Sequence, residues 1–176
     1  GGSCFPKDVS ALKGLAEQSG VEPQLLKGVL DINRRQRYRI LDMLEKKTGD
    51  LTGKKIAVLG LAFKAGTDDI REAPSLDIIQ ALVERGALVK AYDPMADPQE
   101  LKPFLAGFTR VSNAYDAAAG SHAVVLATGW PEFKELDLVR LRAAMARPVF
   151  LDALNMLDPE QVRRAGFQYQ GIGRGR

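Results

Sequence analysis

The segment KKIAVLGLAF, residues 54–63, is a nearly unbroken apolar run of strand length. Such a run is typical of a parallel β-strand that is covered on both faces. The segment SLDIIQALVERG, residues 75–86, has the spacing of an amphipathic helix, and Gly86 is placed to end it. The segment ALVKAYDP, residues 87–94, has the pattern of a second strand. Together the three segments predict one βαβ unit.

The remainder of the chain continues this pattern of short apolar segments. Further strands are predicted, with helical segments between them, at TRV (109–111), HAVVLATGW (122–130), RPVFLDALN (147–155) and GFQYQGIG (166–173). Hydrophobic residues make up 45% of the chain, which is enough to bury the core of an ordinary soluble domain. The pattern of residues 53–176 therefore predicts an α/β domain with an open, mostly parallel sheet flanked by helices.

Two helices are predicted ahead of the sheet. Pro6 suits the first position of a helix over residues 6–19, and Gly20 follows as its stop. The second helix is predicted to run from Pro23 to about Lys47, with leucines along one face. The turn-rich segment GDLTGKK then leads into the sheet. The chain is thus predicted to have an N-terminal helical part, residues 1–52, and a sheet domain, residues 53–176.

The long helix carries polar residues that admit more than one interpretation. Asn33 and Gln36 interrupt its apolar face, and we favour polar groups that are satisfied at a helix–helix contact over a binding site or subunit contact. The arginines of RRQRYR, residues 34–39, fan around the helix at about 100° per residue instead of forming one stripe. That arrangement favours a solvated helix face over a nucleic-acid site, so no nucleic-acid partner is predicted.

The composition also indicates whether a membrane, a metal or an oxidising compartment is expected. No run approaches the roughly 18–20 apolar residues that cross a bilayer, so no membrane partner is predicted. Cys4 is the only cysteine; it cannot form an internal disulfide and lacks partners for a Cys-rich metal site. We therefore expect no metal and a reducing compartment, the cytoplasm.

The first strand leads into a loop where many α/β folds bind nucleotides. The sequence GLAFKAGTDD, residues 60–69, lacks the GxGxxG spacing that lets a backbone approach a pyrophosphate closely. Asp93 ends the second strand, the place of a ribose-binding acid, but an Asp before Pro also commonly starts a turn. The pattern alone leaves a nucleotide-like ligand and simple α/β packing equally open.

The N-terminal stretch GGSCFPKD, residues 1–8, has the parts that a covalent cysteine enzyme needs. Cys4 lies just ahead of a predicted helix, whose positive end favours a thiolate, and Lys7 adds a positive charge. Gly1 and its glycine neighbour leave the backbone free to approach a substrate, and Asp8 could hold a water or act as a base. The alternative is that Cys4 is simply a small buried hydrophobic residue.

A second cluster, FKAGTDDIREAPS, residues 63–75, follows the first strand. Lys64 and Arg71 place two cations on a loop beyond the carboxyl end of that strand, where α/β folds bind ligands. Two such cations suit a pyrophosphate or a sugar nucleotide. Asp68 and Asp69 are predicted to hold the loop by Asx-type hydrogen bonds.

Three separated motifs in this order resemble the UDP-glucose 6-dehydrogenases of the UDP-glucose/GDP-mannose dehydrogenase family. They are GGSCFPKD, GLAFKAGTDDIREAPS and the tail NMLDPEQVRRAGFQYQGIGR, residues 155–174. The FPKD that follows the cysteine is similar to the UDP-glucose branch, whereas the GDP-mannose branch usually has LPKD there. The resemblance covers essentially the whole chain as a C-terminal portion of such an enzyme.

The resemblance implies an NAD-dependent, four-electron oxidation of UDP-glucose or a related UDP-sugar. A first hydride goes to NAD, and Cys4 captures the resulting aldehyde as a thiohemiacetal. A second hydride leaves a thioester, which water hydrolyses to UDP-glucuronate, with Asp8 assisting the water and proton steps. It further implies that Lys7 and Arg71 contact NAD, that Phe63 and Lys64 contact the UDP-sugar, and that Gly1 lies in the substrate loop.

The resemblance also implies an architecture. Residues 53–176 correspond to a Rossmann-like, UDP-sugar-binding C-terminal domain. Residues 1–52 correspond to the catalytic cysteine loop and the central helix, which joins two Rossmann-like domains and builds a homodimer or a higher homo-oligomer. The family's N-terminal domain carries the GxGxxG loop and further catalytic groups. It is the missing partner, without which this chain is expected to be inactive.

One position departs from the family. The family usually has DGRN where this chain has Asp152, Ala153, Leu154 and Asn155, so Leu154 replaces an arginine that would contact the substrate. An apolar side chain cannot make that charge-assisted bond. Two alternatives follow from this departure and from the missing half: a dehydrogenase for a different nucleotide sugar, or a non-catalytic nucleotide-sugar-binding or assembly module.

Overall fold

Two helices form the N-terminal part of the structure, a computed structural model that describes residues 4–101, 103 and 105–174. The first, α1 (Cys4–Gln18), begins two residues earlier than predicted, so Cys4 lies in its first turn. Pro6 is tolerated there because the first N–H groups of a helix have no acceptor within the helix. The second, α2 (Gln24–Thr48), agrees with the prediction to within one residue at each end.

The rest of the described chain alternates strands with helices. The strands are β1 (Lys55–Leu59), β2 (Leu88–Tyr92), β3 (Thr109–Arg110), β4 (Ala123–Leu126), β5 (Val149–Asp152) and β6 (Gln168–Gly171). The helices are α3 (Pro74–Glu84), α4 (Pro98–Leu101), α5 (Ala114–Ala118), α6 (Leu138–Ala144) and α7 (Pro159–Arg164), with short 3-10 helices at Leu105–Gly107 and Pro131–Lys134.

All these strands join one parallel sheet in the order β3-β2-β1-β4-β5-β6. The predicted α/β class, with a mostly parallel sheet flanked by helices, is therefore confirmed. In this order the chain reverses direction across the sheet between β1 and β4. Ligands of such folds bind in the crevice beyond the carboxyl ends of the strands at that point.

The sheet separates two hydrophobic cores. Along β1, Ile56 and Val58 face the core built with α2 and α3, while Ala57 and Leu59 face the core built with α5, α6 and α7. The second half of α2 contributes Ile40, Leu41, Met43 and Leu44 to the first core. Because that half of α2 is packed on the sheet, the helix is held in a fixed position above the carboxyl edge.

The first part of the helical region is packed much less. None of the residues of α1 is buried. Large apolar side chains are exposed along α1 and the first half of α2: Phe5, Leu12, Leu15, Leu25, Val29 and Ile32. Among the described residues no helix is both long and apolar enough to cross a membrane. The exposed apolar side chains are available to contact another domain or subunit.

Candidate functional site

A pocket of about 210 Å³ lies at the carboxyl edge of the sheet, between the strand loops and α2. Its apolar wall comes from loops that follow four different strands: Phe63 after β1, Ala127 after β4, Ala153 and Leu154 after β5, and Ile172 after β6. Its polar wall comes from α2, with Asn33, Gln36 and Arg37. The site thus places an apolar surface opposite hydrogen-bonding groups, the usual make-up of a small-molecule pocket.

Phe63 and Lys64 are adjacent in the chain but play different parts at this site. Phe63 is half-buried and lines the pocket. Lys64 is exposed, and its Nζ lies 5.3 Å from the centroid of the Phe63 ring. The structure therefore places an aromatic face in the pocket and a cation beside it.

Asp93 anchors the loop that carries Phe63. Its carboxylate is completely buried, and Oδ2 accepts hydrogen bonds from the backbone N–H of Leu61 (2.7 Å) and of Ala62 (3.0 Å) and from Nε1 of Trp130 (2.9 Å). Oδ1 accepts from the backbone N–H groups of residues 95 and 96. Burial alone would raise the pKa of Asp93, but the four backbone N–H donors outweigh it and lower that pKa. A carboxylate held in this way is a structural group and is not available to a ribose.

The crevice between β1 and β4 is closed by packing. Gly60 follows β1 with φ of +96°, and a Cβ there would lie 2.3 Å from Cβ of Thr128, which follows β4. The Thr128 hydroxyl is buried and donates to the Ala62 carbonyl at 2.6 Å. A pyrophosphate would need this space together with a glycine-rich backbone. These residues do not fit the body of a dinucleotide, in agreement with the missing GxGxxG spacing.

The loop between β1 and α3 is held by Asp69. Its carboxylate accepts from the backbone N–H of Arg71 at 2.9 Å, and from the Arg71 guanidinium at 2.9 Å from Nε and 2.7 Å from Nη2. The backbone carbonyl of Asp69 accepts from the N–H of Phe63 at 3.0 Å. The predicted Asx-type bond is confirmed for Asp69. Arg71 is thereby held with its side chain 75% exposed.

This contact makes the loop sensitive to acid. The hydrogen bonds of Arg71, first of its guanidinium and then of its backbone N–H, hold the pKa of Asp69 at about 2, below the ordinary 3.8. A lowered pKa contributes stability that is complete above pH 3.8 and is lost as the pH falls through 2. We expect the Asp69 carboxyl resonance in an NMR titration to show a midpoint near 2. Arg71→Ala should move that midpoint towards 3.8, and a midpoint near 3.8 before substitution would contradict the contact.

The cysteine motif lies at the exposed start of α1. Cys4 is exposed, so it is not a small buried hydrophobic residue in this chain. Lys7 and Asp8 are exposed as well, with Lys7 Nζ 4.0 Å from Asp8 Oδ1. Gly1, the predicted substrate-loop residue, lies outside the described residues.

A second cavity lies beside the start of α1 and shares one lining residue with the pocket at the carboxyl edge. It has a volume of about 320 Å³ between α1 and α2 and is lined by Phe5, Pro6, Val29 and Asn33, among others. Asn33 also lines the pocket at the carboxyl edge. The start of α1, with Cys4, and the carboxyl edge of the sheet therefore lie on the same side of α2.

The polar wall consists of three residues of α2 for which a binding site was not the favoured interpretation. The side chains of Asn33 and Gln36 are exposed and line the pocket, and within the described part of the chain they do not form the helix–helix contact that the sequence favoured. Arg37 is only 14% exposed and pairs with Asp77 of α3 and with Glu72, so the solvated-face interpretation fails for this arginine. The sequence feature that could have identified the polar wall is helical spacing, which puts Asn33, Gln36 and Arg37 on one face with the buried Ile40.

Comparison with known proteins identifies the two parts of the chain. Residues 57–159 match the model of the UDP-glucose/GDP-mannose dehydrogenase family, UDP binding domain. Residues 1–35 match the central domain of the same family. The two matches occur in the order that the sequence motifs predicted.

Individual relatives agree with the family models. The chain is 41% identical over 174 residues to the UDP-glucose 6-dehydrogenase TuaD of Bacillus subtilis, with 99% of this chain and 38% of the relative covered. It is 42% identical over 182 residues to the UDP-glucose 6-dehydrogenase of Pseudomonas aeruginosa, with 100% of this chain and 40% of the relative covered. The chain thus spans about two fifths of the length of these curated relatives.

Solved structures give the same result for the fold. A UDP-glucose dehydrogenase from Pyrobaculum islandicum superposes with a TM-score of 0.84 at 33% identity, over 99% of this chain and 38% of that chain. A GDP-mannose dehydrogenase from Pseudomonas aeruginosa superposes with a TM-score of 0.75 at 27% identity, over 99% of this chain and 39% of that chain. On the family-model matches and these relatives together, the chain belongs to the UDP-glucose/GDP-mannose dehydrogenase family.

Proposed function

We propose that the chain is the C-terminal portion of a UDP-glucose 6-dehydrogenase and that its carboxyl-edge pocket receives part of the UDP-sugar. The observation that carries the proposal is the convergence of two distant motifs on one pocket. Phe63 belongs to the motif of residues 60–75, and Leu154 stands at the substrate-contacting position of the DGRN motif. Lys64 lies beside this pocket, where its charge suits a diphosphate.

The charge distribution supports binding of two parts of the UDP-sugar at different places, one inside the pocket and one beside it. Arg37, the one cation that lines the pocket within the described residues, is already paired with Asp77 and Glu72. The pocket, at about 210 Å³, is smaller than the roughly 300–1,000 Å³ that encloses a drug-sized ligand. A small pocket without net charge suits one uncharged part of the UDP-sugar, and Lys64 suits the diphosphate outside it.

The chemistry of the complete enzyme forms the second part of the proposal. Cys4 is the nucleophile and Asp8 assists the water and proton steps, while Gly1 belongs to the substrate loop. NAD, the cofactor, supplies the hydride acceptor and is bound mainly by the N-terminal domain, since the crevice of this sheet does not fit it. Lys7 and Arg71 contact that NAD from exposed positions.

Assembly is the third part of the proposal. The exposed apolar side chains of α1 and the first half of α2 would be covered by the missing N-terminal domain and by a second subunit, giving a homodimer or a higher homo-oligomer. The division into residues 1–52 and 53–176 and the cytoplasmic location stay predictions. Sequencing of the coding region upstream of Gly1 tests the first premise, because a start codon there without a preceding α/β domain would contradict it.

Binding of UDP to the 176-residue chain tests the substrate assignment directly. We expect calorimetry to show binding of UDP and UDP-glucose. Lys64→Ala should weaken UDP binding roughly ten-fold, because a charge-assisted hydrogen bond to phosphate is lost. The same substitution should change uridine binding little, since uridine carries no phosphate.

The matched control is Lys55→Ala. Lys55 is exposed at the amino end of β1, on the opposite edge of the sheet from the pocket. It should leave UDP binding unchanged, whereas equal losses for the two variants would indicate only a general effect of charge. A chain that binds neither UDP nor UDP-glucose would contradict the proposed substrate.

Leu154 favours one alternative, a dehydrogenase for a different nucleotide sugar. Its side chain is 46% exposed and lines the pocket where an arginine is usual in the family. Structural relatives include a GDP-mannose dehydrogenase and a UDP-D-ManNAc dehydrogenase from Pyrococcus horikoshii. Tighter binding of GDP than of UDP would favour this alternative. Binding without any turnover in the complete protein would favour a non-catalytic binding or assembly module.

A further inference from the structure

Asn155 has an unusual backbone conformation in the loop between β5 and α7. Its φ is +56°, in the left-handed region that few residues other than glycine adopt. The buried carboxylate of Asp152 fixes the loop on either side, because it accepts from the backbone N–H groups of Leu154 (3.0 Å) and Leu157 (2.9 Å). Asn155 is therefore held at the apex of a loop whose two ends are fixed.

The side chain of Asn155 reaches across to the turn that follows β6. Its Nδ2 donates to the Ile172 carbonyl at 2.9 Å. Its Oδ1 is buried and packs on Gly171, where a Cβ would lie 2.1 Å from that oxygen. The turn itself is closed by paired backbone hydrogen bonds of 3.1 Å between Gly171 and Arg174. The amide thus joins two loops that share no other side-chain hydrogen bond among the described residues.

The residues next to these contacts line the carboxyl-edge pocket. Ala153 and Leu154 precede Asn155 in one loop, and Ile172 supplies the carbonyl in the other. Asn155 itself does not line the pocket. We propose that Asn155 is a positioning residue, which holds the β5 and β6 loops together so that Leu154 and Ile172 form one continuous wall for the ligand. The role for the ligand rests on the proposed UDP-sugar function.

Asn155→Gly isolates the side-chain contact from the backbone conformation. Glycine adopts φ of +56° without strain, so the variant loses the amide bridge and keeps the loop geometry available. We expect the dissociation constant for UDP to rise roughly three- to ten-fold, the value of one hydrogen bond. We also expect the backbone amides of Gly171 and Arg174 to exchange with solvent roughly ten-fold faster, without ligand.

The matched control is Ala146→Gly, which adds a glycine to the exposed loop at the other end of β5. It should leave UDP binding and the exchange of Gly171 and Arg174 unchanged. Thermal unfolding of both variants separates a local effect from general destabilisation. Equal changes in the two variants would overturn the positioning role.

Gly171→Ala provides a second and independent test. Its added Cβ would collide with Oδ1 of Asn155, so the single variant should weaken UDP binding more than Asn155→Gly does. The double variant should recover most of that additional loss, because the colliding oxygen is gone and the nearest remaining atom, Oη of Tyr169, lies 3.1 Å from the added Cβ. Losses that simply add would overturn the inference, as would unchanged UDP affinity and amide exchange in Asn155→Gly. Absence of UDP binding to the unsubstituted chain would instead overturn the proposed function, and amide exchange would still decide whether Asn155 holds the turn.

Discussion

Asp93→Asn is expected to lower the free energy of unfolding by about 3–5 kcal/mol, because it removes a buried charge that satisfies several donors at once. An amide offers only one acceptor oxygen. The NH₂ group of the introduced amide would therefore face backbone N–H donors that now point at Oδ1 or Oδ2 of Asp93. Urea unfolding followed by circular dichroism measures the loss. The fluorescence of Trp130 reports the local change, since its Nε1 donates to the same carboxylate.

Asp50→Asn is the matched control for this experiment. Asp50 is exposed and also accepts from a nearby backbone N–H, that of Thr52, at 3.2 Å. Water can replace that bond, so a much smaller loss is expected. Equal losses for Asp93→Asn and Asp50→Asn would contradict the anchoring role. Because Asp93 holds the backbone just before Phe63, its substitution should also weaken UDP binding under conditions where the variant is still folded.

The sheet could be predicted because its signal is local. Each central strand is an apolar run covered on both faces, and each run is bounded by turn residues, so the pattern needs no knowledge of distant partners. The start of α1 was less predictable. Pro6 predicts a helix start at residue 6, yet a proline fits anywhere in the first turn, and the helix begins at Cys4.

The roles of buried polar groups depend on contacts that the local sequence does not contain. Asp93 at the end of a strand suggested either a ribose-binding acid or a turn start, and it is a turn anchor that also binds Trp130, 37 residues away. Arg37 belonged to a run of exposed arginines, and its burial follows from Asp77, 40 residues away. In both cases a distant partner decides whether a charged side chain is buried or solvated.

The pocket also combines residues that the local sequence predicts with residues whose place depends on distant packing. Lys64 was predicted from its loop beyond the carboxyl end of a strand, and the family resemblance implied Phe63 and the position of Leu154. For Asn33 and Gln36 a helix contact was favoured over a binding site, because they belong to a helix whose position over that edge is set by the packing of its second half. The roles of Cys4, Asp8, Lys7 and Arg71 stay predictions.

Cys4→Ser in the complete protein is expected to reduce formation of UDP-glucuronate at least roughly 1,000-fold, since a hydroxyl is a far weaker nucleophile than a thiolate towards an aldehyde carbon. Cys4 is exposed in the first turn of α1, and Asn33 lines both the cavity between α1 and α2 and the carboxyl-edge pocket. The substitution should leave UDP binding within about two-fold of the unsubstituted protein, because binding and covalent capture are separate functions.

Ser10→Ala, which removes an exposed hydroxyl on the same helix, is the matched control and should retain full turnover. Turnover of Cys4→Ser close to that of Ser10→Ala would remove Cys4 from the mechanism, while loss of UDP binding would show that the cysteine contributes to the fold of the site.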